Sequence, residues 1–392
     1  MTNTSTNIDT VLASFQERWS PRILTRVNDY DVRLAKVEGT FVWHSPASSS
    51  DCTHGQSAGP PNWKRLPPRT ESGTTPNDSP ANRSWPTQDP TWPAVHPKRG
   101  LMEFPLLAAR QAVSRALAED HAHDDITTRW SVPAQLHEEA EIIAKQSGEA
   151  CGLPVVSEVF HQIDPDIDVK ELIPEGSLVR PGQAVIHLSG RTRSLLTGER
   201  TALNFLQRMC GIATLTRRHV DLVADLGVQV LDTRKTAPGL RALDKYAVAA
   251  GGGSSHRLDL SAMVLLKENH VAAAGGITAA ITAVHTAMAA EGHVTLVDVE
   301  VENVAQAVEA LHAGASWIML DDMTVPEIEQ VVQAREEIAP GRTVVLEASG
   351  GITLELLRSI AETGVDKISV GALTHSAPAL DLSMLLTRTT DA

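Results

Sequence analysis

The sequence predicts an α/β protein in which a long strand–helix alternation follows a smaller mixed α+β unit. Three observations carry that prediction. Strand-like apolar runs separated by helical segments recur beyond Leu222, turn signals break residues 140–190 into short strands, and the composition changes abruptly near residue 100. Residues 1–100 hold five of the seven Trp and 12 of the 22 Pro, with 11 Lys+Arg against 9 Asp+Glu. The acidic excess of the chain, −14 overall, therefore lies wholly in the remainder.

Residues 44–100 are dominated by Ser, Pro, Thr, Asn and Gly, with Pro-Pro pairs at 60–61 and 67–68. Such a segment cannot bury enough apolar surface to build a core, so residues 1–100 read as a disordered, low-complexity extension, with a short helix expected within 8–42. From Leu101 a helical pattern ends near Glu119-Asp120. EIIAK and QAVIHL, with turns at Glu175-Gly176 and Pro181-Gly182, read as strands. Residues 194–220 form one long helical pattern, expected to be interrupted near Gly211. The runs VQVLDT, AMVLLKE, TLVDVEVE, WIMLDD, TVVLEAS and KISVGA read as parallel strands covered on both faces. Asn303, Thr324 and Thr353 are placed to cap the helices between the later runs. Repeated βα units give a barrel or a doubly wound sheet.

The polar residues favour the barrel. Thr233-Arg234-Lys235, Lys267, Glu300, Asp321, Ser349-Gly350-Gly351 and Gly371-Ala372 each follow a predicted strand, and in a barrel those positions share one face. Arg234, Lys235, His256, Arg257 and Lys267 form a cationic group in an acidic domain, and converging cations call for an anionic ligand such as a phosphate or carboxylate. Glu300 and Asp321 suit Mg²⁺ shared with substrate phosphates, or the stabilisation of a cationic ribosyl transition state, or ion pairing with the basic set. The Ser349-Gly350-Gly351 and Val370-Gly371-Ala372 turns suit a phosphate held on backbone N–H groups. Gly251-Gly252-Gly253 reads as a hinge or a close backbone approach carrying His256 and Arg257 into the site. The net charge argues against nucleic acid as a partner. No Walker A motif or strand-linked GxGxxG supports a nucleoside triphosphate or dinucleotide site. No stretch approaches the ~18 consecutive apolar residues of a membrane span, and the N-terminus lacks a secretory pattern. Cys52, Cys151 and Cys210 have no CxxC spacing and read as free thiols, so a cytoplasmic location is expected.

The segments EDHAHDDITT (119–128), GERTALNFLQRMCGIAT (198–214), DTRKTAPGLRALDKYAVAAGGGSSHR (232–257), LLKENH (265–270), VDVEVEN (297–303), IMLDDM (318–323), EASGGI (347–352) and ISVGALTH (368–375) resemble the quinolinate phosphoribosyltransferase family, the carboxylating nicotinate-nucleotide pyrophosphorylases. The resemblance spans about 104–390 in the family's order. It implies an α/β sandwich domain over 101–212, joined by the chain end 376–392, and a partial (β/α) barrel over 213–375. It implies a reaction of quinolinate with phosphoribosyl pyrophosphate, with Mg²⁺, giving nicotinate mononucleotide, CO₂ and pyrophosphate. It further implies a homodimer or higher homo-oligomer in which Arg200 reaches the partner's site. By motif position, Thr233, Arg234, Lys235, His256, Arg257 and Lys267 would hold the quinolinate carboxylates and the pyrophosphate. Glu300 and Asp321 would face the ribose and metal; Ser349, Gly350, Gly351, Val370, Gly371 and Ala372 would cradle the 5′-phosphate. Lys235, Lys267, Glu300 and Asp321 are the expected catalytic set. Asp124, Ser255, Asp259, Ala262, Asp298 and Asp322 depart from the family's usual residues, and Ser255, Asp259, Ala262 and Asp322 among them bear on acceptor choice. A same-fold phosphoribosyltransferase with another acceptor and a non-catalytic phosphoribosyl-ligand sensor stand as alternatives. The complete basic set weighs against the first and the intact acidic pair against the second.

Overall fold

The computed structural model describes residues 22–27, 30–34, 103–340 and 343–387, and the chain divides into two compact units, 1–83 and 84–392. In the first unit, β1 (Arg22–Val27) pairs antiparallel with β2 (Tyr30–Leu34). This strand pair occupies part of the span 8–42 in which a short helix is expected, and the rest of that span lies outside the described residues. The rest of the expected disordered extension lies outside the described residues.

The second unit opens with α1 (Leu106–Glu119), ending where the sequence indicated. A four-stranded antiparallel sheet follows, in the order β14-β3-β7-β5, from β3 (His137–Ala144), β5 (Asp168–Glu171), β7 (Ala184–Arg191) and the returning chain end β14 (Leu382–Thr387). Along β3, Ala140, Ile142 and Ala144 are buried while Glu139 and Glu141 are not, the period-two signature of a sheet with one dry face. β4 (Gly148–Glu149) and β6 (Leu178–Val179) make a second small pair. The helix α2 (Ile126–Ser131) is capped by the Asp125 carboxylate, which accepts from the Thr128 N–H. In α3 (Leu153–Ile163), the Glu175 carboxylate accepts the Gly152 and Leu153 N–H groups at the N-terminus.

α4 (Thr192–Leu222) runs unbroken for 31 residues from this sheet into the following strand–helix region. Gly211 does not interrupt it. A Cβ there would stand 2.1 Å from the Pro378 carbonyl oxygen, so the glycine is required by the returning C-terminal segment rather than by a bend. Gly211→Ala should therefore destabilise the protein by ~3 kcal/mol in denaturant unfolding, because overpacking against backbone outweighs the ~1 kcal/mol gain in helix propensity.

Six parallel strands then form one sheet in the order β8-β13-β12-β11-β10-β9: β8 (Gln229–Leu231), β9 (Val264–Leu266), β10 (Val297–Val301), β11 (Trp317–Asp321), β12 (Val345–Ser349) and β13 (Lys367–Ser369). The helices between them are α5 (Arg241–Ala250), α6 (Glu268–Ala274), α7 (Ile277–Glu291), α8 (Val304–Ala313), α9 (Val325–Ile338) and α10 (Leu354–Ala361), with the short α11 (Ala372–His375) after β13. Asn303 caps α8 by accepting from the Gln306 N–H, and Thr324 and Glu327 form a capping box on α9. Thr353 sits at the start of α10 without a side-chain cap bond. No single described helix is long and apolar enough to cross a membrane.

Alternation places the chemistry. Val297, Val299 and Val301 join the large core beneath the helices, leaving Asp298 and Glu300 on the other face of β10. That face carries a separate small core of Leu231, Met263 and Trp317 with Val345. The sheet is a partial barrel, with β8 and β9 as its edges. Against β8, Ser254 lies as a parallel bridge to Leu231. Gly251 and Gly253 allow this: their Cβ positions would fall 2.4 Å from the Ala213 carbonyl oxygen and 2.7 Å from Val248, so the triple glycine is a close backbone approach, not a hinge.

Candidate active site

The strand-end residues converge in pairs. After β8, the Arg234 and Arg257 side chains are close enough that Arg234's charge depresses the Arg257 pKa, an effect second to burial of the guanidinium itself. The Nε of each is buried without a hydrogen-bond partner, while Arg257 Nη1 donates to the Met263 carbonyl at 3.1 Å. Two buried guanidinium donors left open beside each other are a site for an anion.

Lys235 is exposed; its Cδ would lie 3.0 Å from a Cβ on Gly371, and its carbonyl accepts from Thr374 Oγ1 at 2.8 Å. Its segment is anchored by Asp244, which takes both Nε and Nη2 of Arg208 at 2.9 and 2.8 Å and the Ala237 N–H at 3.0 Å. Thr233 spends its hydroxyl oxygen on the Lys235 N–H. Lys267, at the end of β9, is ion-paired with Glu300 from β10. At the end of β11, Asp321 stands beside Gly350, whose Cβ would meet Asp321 Oδ1 at 3.1 Å and the Asp322 N at 2.6 Å. Gly350 (φ 84°), Gly351 (φ 56°) and Asp322 (φ 56°) all adopt left-handed backbone, which Asp tolerates as Asn does. The turn thus brings two glycines in left-handed backbone against the Asp321 carboxylate. Val370 donates its N–H to the Leu231 carbonyl, so at the next strand end only Gly371 and Ala372 have backbone N–H groups to offer a phosphate. Arg200 is exposed on the first half of α4, outside the strand ends.

His256 sits deeper than the rest. Its Nε2 lies 3.5 Å from Asp298 Oδ2 and 3.4 Å from Glu347 Oε2, and its ring is 5.6 Å from that of Trp317, whose Nε1 donates to Glu347. Asp298 and Glu347 are fully buried, and Lys367 Nζ lies 4.7 Å over the Trp317 ring. Burial raises the Asp298 pKa to about 6 despite the His256 contact. Burial also opposes charge on His256, but the two carboxylates outweigh it and lift the ring to about 9. Nδ1, however, accepts the Arg257 N–H at 2.8 Å, which leaves the proton of a neutral ring on Nε2, facing the carboxylates. These two tendencies conflict, and the backbone contact decides the resting form: protonating Nδ1 would oppose it to an N–H. The three side chains bring ligand atoms within 4.8 Å of one another, but an Nε2 that carries the proton does not coordinate a cation.

Glu300 and Asp321 are half-buried and offer oxygen alone, a donor set that suits a hard divalent ion such as Mg²⁺. Asp232, Lys245 and Glu347 escaped the sequence reading, and Asp298 entered it only as a departure from the family's usual residue. Asp298 and Glu347 were detectable in principle as carboxylates alternating with apolar residues inside strands, which marks a polar barrel interior.

A partial parallel barrel whose strand ends pair open guanidinium groups with a glycine-lined turn and two carboxylates defines an enzyme for polyanionic substrates. Residues 125–210 and 212–385 match the family models for the quinolinate phosphoribosyl transferase N-terminal and C-terminal domains. A relative from Nicotiana glauca, quinolinate phosphoribosyltransferase [decarboxylating] 1, is 37% identical over 304 residues, 74% of this chain and 84% of its own. The probable carboxylating nicotinate-nucleotide pyrophosphorylase of Bacillus subtilis (strain 168) is 39% identical over 281 residues, 72% of this chain and 94% of its own. The solved nicotinate-nucleotide pyrophosphorylase of Francisella tularensis aligns with a TM-score of 0.67 at 37% identity, covering 74% of this chain and all of the other. The chain belongs to the quinolinate phosphoribosyltransferase family.

Proposed function

We infer that the protein joins quinolinate to phosphoribosyl pyrophosphate and releases nicotinate mononucleotide, CO₂ and pyrophosphate, a step of NAD biosynthesis. The observation that carries this reading is the pair of half-buried Arg234 and Arg257 side chains, each with a buried Nε left without a partner, together with the strand-end cations Lys235 and Lys267. A pyridine with two adjacent carboxylates matches such a set, since each carboxylate accepts paired N–H donors.

The chemistry then needs positioning and charge stabilisation rather than a covalent nucleophile. The pyridine nitrogen attacks C1′ as the C1′–O bond to pyrophosphate breaks, and pyrophosphate leaves with the electron pair. Positive charge developing on the ribose is stabilised by Glu300 and Asp321. Lys267, which rests on Glu300, is positioned to turn toward an arriving carboxylate or the leaving pyrophosphate. Ribosylation makes the ring nitrogen cationic. The bond from C2 to its carboxylate then breaks, its electrons pass toward that nitrogen, and a proton replaces CO₂ at C2. Mg²⁺ held by Glu300 and Asp321, partly through substrate phosphates, would supply neutralisation of the pyrophosphate charge. The N–H groups of the Gly350-Gly351 and Gly371-Ala372 turns are the proposed seat of the 5′-phosphate. We extend the reading to a homodimer in which exposed Arg200 completes the partner's acceptor pocket, and to a cytoplasmic location.

Purified protein incubated with quinolinate, phosphoribosyl pyrophosphate and Mg²⁺ should form nicotinate mononucleotide and CO₂ in equal amounts, measured by chromatography and trapped ¹⁴CO₂. No product above a heat-inactivated control would overturn the reading, and turnover of a monocarboxylate acceptor alone would reassign the substrate.

A further inference from the structure

The two cation-bearing segments of the site repel one another, and something must hold them in place before an anion arrives. One buried ion pair touches both. Lys245, on α5 and 2% exposed, donates to Asp232 Oδ1 at 2.5 Å and to the His256 carbonyl at 3.1 Å. Asp232, fully buried, also accepts the His256 N–H at 2.9 Å and the Ser255 hydroxyl at 3.3 Å, and its own N–H donates to the Ser254 carbonyl. Asp232 directly precedes Thr233-Arg234-Lys235, and His256 directly precedes Arg257. The pair thus fixes both backbone polar groups of His256 to the root of the other cationic segment, across the open seam beside β8.

We propose that Lys245 and Asp232 are positioning residues for acceptor recognition, setting the separation of Arg234 and Arg257 so that both guanidinium groups meet one dianionic acceptor. The proposal rests on the quinolinate reading for the identity of that acceptor. Neither side chain faces the substrate; each acts through the backbone it holds. An apolar pair of similar size would satisfy the core, because a buried ion pair replaced as a unit leaves no unpaired charge. It would not replace the two ties to His256, and a displacement near 1 Å suffices to weaken a two-point grip.

The test compares wild type, Asp232→Asn and the double variant Lys245→Met/Asp232→Leu. The double variant should fold, with a Tm lowered by the His256 N–H and carbonyl left without their side-chain partners. Its KM for quinolinate should rise ~10- to 100-fold, the range seen when supporting partners of a binding group are lost. Its KM for phosphoribosyl pyrophosphate and its kcat should change far less. Hydrogen exchange should show lost protection at 254–257 and unchanged protection in α9. Asp232→Asn, which still accepts the His256 N–H, should fall between the two. A parallel rise in both KM values, unchanged quinolinate KM, or retained protection at 254–257 would overturn the proposal. Failure of wild type to turn over quinolinate would instead sink the functional reading, while the exchange comparison would still decide whether the pair ties the two segments.

Discussion

Arg257→Leu is expected to lower kcat/KM for quinolinate by roughly 10²–10³-fold while leaving the folded protein intact. The loss follows from removing one of two guanidinium groups that grip a desolvated anion, a truncation that typically costs ~2–5 kcal/mol. Stability should change far less than function. The half-buried Arg257 guanidinium is held below its ordinary pKa first by desolvation and then by Arg234, so the unliganded protein carries the strain of two nearby like charges. Leucine relieves that repulsion and fills the same space, at the expense of one hydrogen bond to the Met263 carbonyl worth ~1 kcal/mol. Denaturant unfolding should therefore show a change within about 1 kcal/mol, of either sign. A collapse of stability alongside activity would mean that Arg257 is a structural strut rather than a substrate group.

The second large effect concerns Asp298. Its carboxyl is raised by burial to about 6, above the 3.8 of an unburied side chain, and neither oxygen has a hydrogen-bond partner within normal range. The folded state therefore holds the proton more tightly than the unfolded chain. Its contribution to stability is fully present below about pH 4 and is lost as pH rises through about 6. Asp298→Asn has no such dependence. The stability of the variant minus that of wild type should grow by on the order of 2 kcal/mol between pH 4 and 6.5, in favour of the variant. Urea unfolding of both proteins at pH 4, 5, 6 and 6.5 measures the difference directly, and a flat difference would show that Asp298 is an ordinary ionised carboxylate in the fold.

Much of this site was legible before any coordinates. Arg234, Lys235, Lys267, Glu300, Asp321 and the Gly350 and Gly371 turns each follow an apolar run, and a parallel strand delivers whatever follows it to one common rim. Asn303 and Thr324 were readable as caps because a side-chain oxygen next to a 3.6-residue apolar stripe has few other uses. Within 8–42, where a short helix is expected, the described residues pair as β1 and β2, and the rest of that span lies outside the described residues. Gly211 reads locally as a helix break, since its partner Pro378 lies 167 positions along the chain and local pattern carries no trace of it.

By itself, the sequence determined the order of strands and helices, the rim on which the charged residues gather, and, through its ordered motifs, the family. These follow from periodicities and short spacings that act within a few residues. Only the tertiary structure decided which charges meet. It set Lys267 on Glu300, His256 between Asp298 and Glu347, and Lys245 with Asp232 beneath the two cationic segments. The physical reason is that a buried charge is defined by its partners and its loss of water, and both are supplied by residues that adjoin only after the sheet has curled.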